Sequence, residues 1–491
     1  MKNDFIGPAY KGRSIGVDAQ ECVNLYIEEN AGNSKNKWSL IGTPGYSLFS
    51  RPGSGVFRGI YSTARDRLFA VYGTTLYEVL PDKSSSVLGT FLTHSGKVQF
   101  AEVQTSAEGY SSQVMASDGV HGYVYDSIKK TFTELTSGYL SGTSLTSIGN
   151  RFVQTVNDSG KVIFSKPYSA TFDPLDFIVT EGLADRVLSC HTINNELWIL
   201  GTKSLEIWTQ TGDLATPFVR SGIGFINIGT TGKYSACTIN NQLLWLGNNN
   251  TVWQASGYVP TRVSTHAVEY IIGQMSVVSD AVAYQYQDEG HQFFILNFPT
   301  GNRTLAYDLI TQMWHERASY DSLTGSNNRH RMSASVNWNG MVMCGDYDNN
   351  GLYHYSLDKY TDNGSLIKRV RAAAHQHEDR KRIFYNSFEL DYERGTGLLS
   401  SDGTAGASGH LLHNVNTGQG ENPQIMMQWS DDGGYTWSSE HWMSAGRIGA
   451  RLTRARLTRL GMSRDRIFKA TMTDPVKWVI IDARMDASIE A

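Results

Sequence analysis

The chain predicts an all-β protein: a β-propeller, seven-bladed with six as the alternative, followed by a C-terminal β-sandwich-like domain. Three observations carry this expectation. Apolar or aromatic runs broken by Gly, Asn, Asp or Ser turns recur seven times between about Arg67 and Leu357, which is the hairpin pattern. The copies are spaced by roughly 40 to 50 residues, the length of a four-stranded blade. Long amphipathic helical patterns are nearly absent, Ala267 to Met275 being the best short candidate for a helical turn or two.

Taken in order, residues 1–55 form a leader with Gly, Pro and Asn turns that ends in IGTPGYSLFSRPGSG. A ring of blades has to join its first and last members to remove sheet edges. The leader is therefore expected either to supply that closing strand or to be an arm reaching a neighbour. The array occupies 56–362. Its copies are RLFAVYGTTLYEV (Arg67 to Val79), the runs Ser111 to Phe132 and Gly149 to Lys166, NNELWILGTKSLEIWTQTG (Asn194 to Gly212), and then Asn240 to Gly257, His291 to Glu316 and Asn337 to Asp358. A lone hairpin cannot bury its apolar face, so these units are expected to pack radially on one another. From 363 the repeat stops and charge rises with Lys368, Arg369, Arg371, Arg380, Lys381 and Arg382. Strand-like runs resume at IFYNSFELDYE. A Gly/Ser/Asn-rich stretch near 395–423 reads as a flexible loop, and the tail holds two strands around a Thr-Asp-Pro turn. Residues 363–491 are read as a separate β-rich domain.

Composition narrows the function. The 491 residues include 25 Tyr, 11 Trp and 48 Gly but only 11 Pro, as expected of a folded, turn-rich, strand-rich chain. The net charge of −4 does not call for nucleic acid or an acidic membrane. Cys22, Cys190, Cys237 and Cys344 are far apart and form no CxxC pair, which argues for free thiols in a reducing cytoplasm. The N-terminal stretch lacks an apolar core of signal-peptide length, and no run approaches a membrane span. The expectation is a soluble chain that is not exported by the general secretory route.

Four motifs invite chemistry. Ser430, Asp432, Gly434, Thr436 and Trp437 fit the Asp-box pattern S-x-D-x-G-x-T-W. Its physics is a hairpin tip, with a carboxylate accepting backbone N–H bonds and Gly taking a positive φ. The box also occurs in sialidases, which are propellers, so a carbohydrate-active or glycan-binding propeller is the alternative reading. It appears once and outside the array, and no arginine cluster with a Tyr/Glu nucleophile pair can be assembled, so a structural turn is favoured. His375-Gln376-His377-Glu378 places two imidazoles on one strand face, but no partner Cys or His motif accompanies it, and a solvated strand is the better reading. The run from Arg447 to Arg459 sets Arg451, Arg454, Arg456 and Arg459 among Leu and Thr, with Arg464, Arg466 and Lys469 close behind. Phosphate or DNA contact is one reading; a strand whose guanidinium groups meet carboxylates of a neighbouring subunit or sheet is preferred in a slightly acidic chain. Gly222-Ile223-Gly224 is followed by neither a helix pattern nor a P-loop lysine, so no nucleotide site is expected. No catalytic residue, cofactor or metal site is assigned.

Several segments resemble the propeller-containing tail proteins of short-tailed bacteriophages, the packaged-DNA stabilisation, tail accessory, hub or nozzle proteins. They are CVNLYIEE, IGTPGYSLF, ELWILGTKSLEIWTQTGD, TPFVRSGIGFINIGTTGKYSA, GYVPTRVSTHAVEYII, HQHEDRKRIFYNSFELD, QWSDDGGYTWS and RLTRLGMSRDRIFKATMTDPVKWVII, in the family's order across most of the chain. The resemblance implies a non-enzymatic virion protein assembled below the portal and its adaptor ring, usually as six copies. Such a ring extends the channel, retains packaged DNA without sequence-specific binding, and docks tail needle, spike or fibre proteins. Assembly in the host cytoplasm is implied.

Overall fold

A computed structural model describes residues 5–105, 112–180, 182–183, 185–214, 216–399 and 419–490. Ser111 and most of the Gly/Ser/Asn-rich stretch near 395–423, from 400 to 418, lie outside the described residues.

Seven four-stranded antiparallel blades follow one another along the chain. Their strands span Phe57–Thr90, Gln99–Leu135, Leu145–Val179, Val187–Ile226, Ala236–Arg262, Val282–Asp321 and Met332–Ser356, the last completed by a leader strand. The hairpin units foreseen in the sequence fall one to a blade. In five blades the first two strands are joined by two residues that both have positive φ: Gly149-Asn150, Asn194-Asn195, Asn240-Asn241, Glu289-Gly290 and Asn339-Gly340. That is the requirement of a type I′ turn, whose twist matches the flanking strands.

Second strands are buried on both faces, and alternation deals their side chains to two different cores. Phe69 and Val71 pack against the second blade, whereas Leu68, Ala70 and Tyr72 pack against the seventh. Leu197 and Ile199 face the third blade while Trp198 and Leu200 face the fifth. This is why these strands read as continuous apolar runs. Seven inter-blade cores result, and the ring closes through Trp338, Met343 and Leu352 of the last blade against Phe57 and Leu68 of the first. A short helix, His266–Gly273, capped by Thr265, buries Val268 and Ile272 between the fifth and sixth blades.

The leader is built into both halves of the molecule. Gly45–Ser50 runs antiparallel to Leu352–Ser356, with Tyr46 opposite Tyr355, and so forms the outer strand of the seventh blade. Leu25–Glu29 and Trp38–Gly42 extend one sandwich sheet beside Val479–Ile489 and Ile383–Tyr392. Ala19–Val23 joins the other. That second sheet is continuous with the sixth blade: Val23 bridges Glu316 on one side and pairs with Val370 on the other, and the sheet continues through Asp465–Met472 to Gln424–Ser430. The sandwich core holds Phe388 stacked on Phe468 at 4.0 Å between centroids, with Trp478, Ile425 and Leu457 around them. Phe5, Leu25, Ile27 and Leu40 of the leader lie in this same core.

Candidate functional site in the sandwich and its junction

Buried polar groups hold the junction together. Asn24, at φ 53° and almost wholly buried, donates its amide to the carbonyls of Ala318 and Lys368, both at 2.9 Å. Its side-chain oxygen accepts the Ala318 N–H at 2.9 Å, and its own N–H reaches the Glu316 carbonyl. One residue thus ties the leader to the sixth blade and to the first sandwich strand. Arg371 is fully buried, and its guanidinium donates to the carbonyls of Phe5 (2.7 Å) and Pro8 (2.9 Å) and to Gln20 Oε1 (2.6 Å). Burial pulls its pKa down to about 10. Arg317 donates to Tyr286 Oη at 2.9 Å and to the Pro44 carbonyl at 3.1 Å, linking the sixth blade to the chain just before the closing strand. The sequence held a trace of these anchors: an Asn between apolar residues in CVNLY, and two Arg at alternate positions in KRVRAAA.

The Asp-box residues form a turn after Gln424–Ser430. Asp432 accepts the Thr436 N–H at 2.9 Å, the Thr436 hydroxyl at 2.6 Å and the Ser430 hydroxyl at 2.7 Å. These bonds, the Thr436 hydroxyl first, hold its carboxyl at about 2. Ser430 Oγ in turn accepts the Gly434 N–H at 2.8 Å. Gly434 has φ 94°, and a Cβ there would stand 3.2 Å from Ala19 Cβ, so the tip rests against the leader. Trp437 packs on Ala19, Ala372 and Ile467, with Lys469 Nζ 3.9 Å from its ring centroid. The adjoining Asp431, which the sequence reading passed over, binds buried Arg466 through two bonds of 2.6 and 2.8 Å. Every acceptor on Asp432 is spent on the turn, which leaves it poorly placed for acid–base chemistry.

The arginine run divides in its roles. Arg454 donates to Glu389 at 2.8 Å, and Arg456 to the Ser387 hydroxyl at 2.9 Å, both on the neighbouring strand of its own sheet. Arg451 and Arg459 sit in exposed turns, Arg459 at φ 60°. Beside Arg451, Leu452 is 92% exposed and Ile448 is also exposed, whereas Arg459 lies past the far end of the strand Ala455–Thr458. His375 shares its Nδ1 with the Asp465 carboxylate at 2.8 Å, and its Nε2 lies 2.9 Å from the Ile15 carbonyl, so both ring nitrogens are engaged. His377 is exposed and the described residues contain no cluster fit to hold a metal ion. Gly222-Ile223-Gly224 falls inside the strand Phe218–Ile226.

No curated protein matches the chain. Among solved structures it is similar to Chaetomium thermophilum Raptor, with a TM-score of 0.40, 8% identity and 64% of this chain covered; this chain spans only 30% of that protein. It is also similar to the β-propeller domain of Myceliophteria thermophila Cps50 (Swd1), with a TM-score of 0.39, 10% identity, and coverage of 63% of this chain and 99% of that one. Two family models match directly and in series. One, described as bacteriophage P22 Gp10, beta-propeller, matches residues 20–361, and the other, bacteriophage P22 Gp10, beta-sandwich, matches residues 368–488. With both halves matched in the order in which they fold, the chain belongs to the bacteriophage P22 Gp10 family of phage stabilisation proteins and is a structural protein of the virion.

Proposed function

We propose that this protein is the hub or nozzle subunit of a short-tailed phage tail. Six copies form a ring below the portal and its adaptor, extend the channel, help retain the packaged DNA, and offer docking surfaces to tail needle, spike or fibre proteins. The observation that carries the reading is the junction. Domains joined by a linker ordinarily move relative to one another, whereas here a single sheet runs from the sixth blade into the sandwich, locked by Asn24 and Arg371. A stiff two-lobed block suits a wall that transmits load between ring contacts. The net charge of −4 favours passage of DNA over tight binding to it.

The exposed sandwich surface with Leu452 and Ile448 beside Arg447 and Arg451, and with Arg459 past the far end of the strand Ala455–Thr458, is the proposed contact to a neighbouring subunit or the adaptor. Its guanidinium groups suit carboxylates there, and head-to-tail contacts of this kind close into a ring for a fixed rotation. The test is the full chain carrying Arg451→Glu, Leu452→Asp and Arg459→Glu, mixed with portal–adaptor complexes and imaged. A folded monomer that no longer joins the particle is the expected result. Normal ring formation by the triple variant rejects this surface, and rings of another copy number reject the hexamer.

A further inference from the structure

The leader opens with a hairpin whose strands are Tyr10–Lys11 and Ala19–Val23, and its loop, residues 12–18, lies against the sandwich. Arg13, Ser14, Gly16 and Val17 of that loop are exposed, Val17 at 79%. The N–H groups of Val17 and Asp18 bond back to the Ser14 carbonyl, and Asp18 Oδ1 accepts the Gln20 N–H, so these bonds stay within the hairpin. Among the described residues a single hydrogen bond ties the loop to the rest of the molecule: His375 Nε2 lies 2.9 Å from the Ile15 carbonyl. The other holds are weaker. Ile15 packs on Ala19, Ala372 and Ile467, and the Arg13 guanidinium stands 5.9 Å from the Tyr270 ring centroid.

The His375 ring faces an acceptor on each side. Nδ1 is 2.9 and 2.8 Å from the two Asp465 carboxylate oxygens, and Nε2 meets the Ile15 carbonyl. Neither partner can donate. A neutral imidazole carries one N–H and can satisfy one of them; the imidazolium carries two and satisfies both. From this geometry we infer that His375 is a pH-sensitive latch: doubly protonated it holds loop 12–18 against the sandwich, and loss of one proton releases the loop. The proton lost is the one on Nε2, because the carboxylate keeps the N–H on Nδ1 and leaves a ring lone pair facing the Ile15 carbonyl. The charged surroundings agree. Asp465 on the adjoining strand and Asp18 on the leader both favour the imidazolium. At the Asp-box turn, where a Cβ on Gly433 would stand 3.5 Å from His375 Cε1, Asp431 is committed to Arg466 and Asp432 to Thr436 and Ser430. His377 and Glu378, next along its own segment, are exposed. The Asp465 bond outweighs the opposing effect of burial and raises the His375 pKa above 6.5, so the latch is closed below 6.5 and opens as pH rises through the raised value. Opening uncovers the apolar pad of Ala19, Ala372 and Ile467 beneath Ile15. The inference does not rest on the assembly role.

The experiment is amide hydrogen exchange of the full chain, followed in a peptide covering residues 12–18 from about pH 5.5 to 8.5 and corrected for the intrinsic rise of exchange with pH. Protection in the parent should fall by about tenfold in one step, the loss of one charge-assisted hydrogen bond. His375→Gln should show no step in this range. Asp465→Asn keeps the imidazole but removes the main cause of its raised pKa, so the step should survive and move down by about one pH unit; a merely structural role for His375 would not shift it. Nitrogen-15 NMR of labelled histidine should find both His375 ring nitrogens protonated below the step and one above it. A parent with no step, a step that persists in His375→Gln, or a midpoint unmoved in Asp465→Asn overturns the latch.

Discussion

Single side chains set the pH range in which the molecule is stable. Burial pushes His191 from 6.5 down to about 4, so the folded state refuses a proton that the unfolded chain accepts. Its effect on stability is absent above 6.5 and grows as pH falls toward 4, reaching on the order of 3 kcal/mol of destabilisation. His375 has the opposite sign. The hydrogen bond to Asp465, more than any other cause, raises its pKa, so its contribution is full below 6.5 and is lost as pH rises through the raised value. The prediction is that His191→Asn makes the change in urea-unfolding stability between pH 6.5 and 4 less destabilising than in the parent. His315 and His330, lowered by burial, act in the same direction, and Asp288 and Asp362, raised by burial, in the opposite one. An unchanged slope in the variant assigns the acid sensitivity to other groups. Asp432 has the sign of a depressed carboxylate: its stabilisation is full well above 3.8 and is lost mainly below this window, as pH falls from about 4 toward 2.

At the scale of elements, the leader matters more than its length suggests. Asn24 occupies a left-handed conformation while bonding two separate strands. Asn24→Ala should cost about 3 kcal/mol, since it leaves buried backbone groups unpaired. Asn24→Gly should recover about 1 kcal/mol of that by removing the left-handed penalty on a Cβ. Guanidinium unfolding of the three proteins gives the order parent, Gly, Ala; an Ala variant as stable as the parent would show that the side-chain bonds contribute nothing net. The closing strand Gly45–Ser50 has a similar standing, because without it Leu352–Ser356 would present an unpaired edge.

Across the whole molecule, the shared sheet makes the two lobes one cooperative unit. Val23 lies between Glu316 of the propeller and Val370 of the sandwich, and Phe5, Leu25 and Leu40 fill the sandwich core from a segment that continues into the seventh blade. Calorimetry of the full chain is therefore expected to show one transition with matching calorimetric and van't Hoff enthalpies. Replacing Arg371 by Leu, which frees the leader carbonyls it gathers, should split that transition in two. Two resolved transitions in the parent would instead mean that the junction is weak.

Local chemistry determined much of this fold. The seven hairpins were legible because the code is short-range: apolar runs long enough to be buried on both faces and, in five of the blades, a two-residue turn with two positive φ values built mostly from Asn and Gly. The Asp-box motif was legible for the same reason, its bonds spanning only a few residues. What only the tertiary structure decided involves long sequence separation. The partners of Tyr46 and Asn24 could not be read locally: Asn24 stands out between apolar residues, but a polar residue there looks the same whether it faces water or a partner some 300 positions away. The arginines show the limit most clearly. In sequence Arg369 and Arg371 read as part of one basic stretch, and Arg454 and Arg466 as part of another; in the fold Arg369, Arg371 and Arg466 are buried and hold carbonyls or a carboxylate, while Arg454 pairs with Glu389 at the surface. Charge is a property of the residue, but its partner is a property of the packed chain, because desolvation and hydrogen-bond geometry exist only once the strands have met.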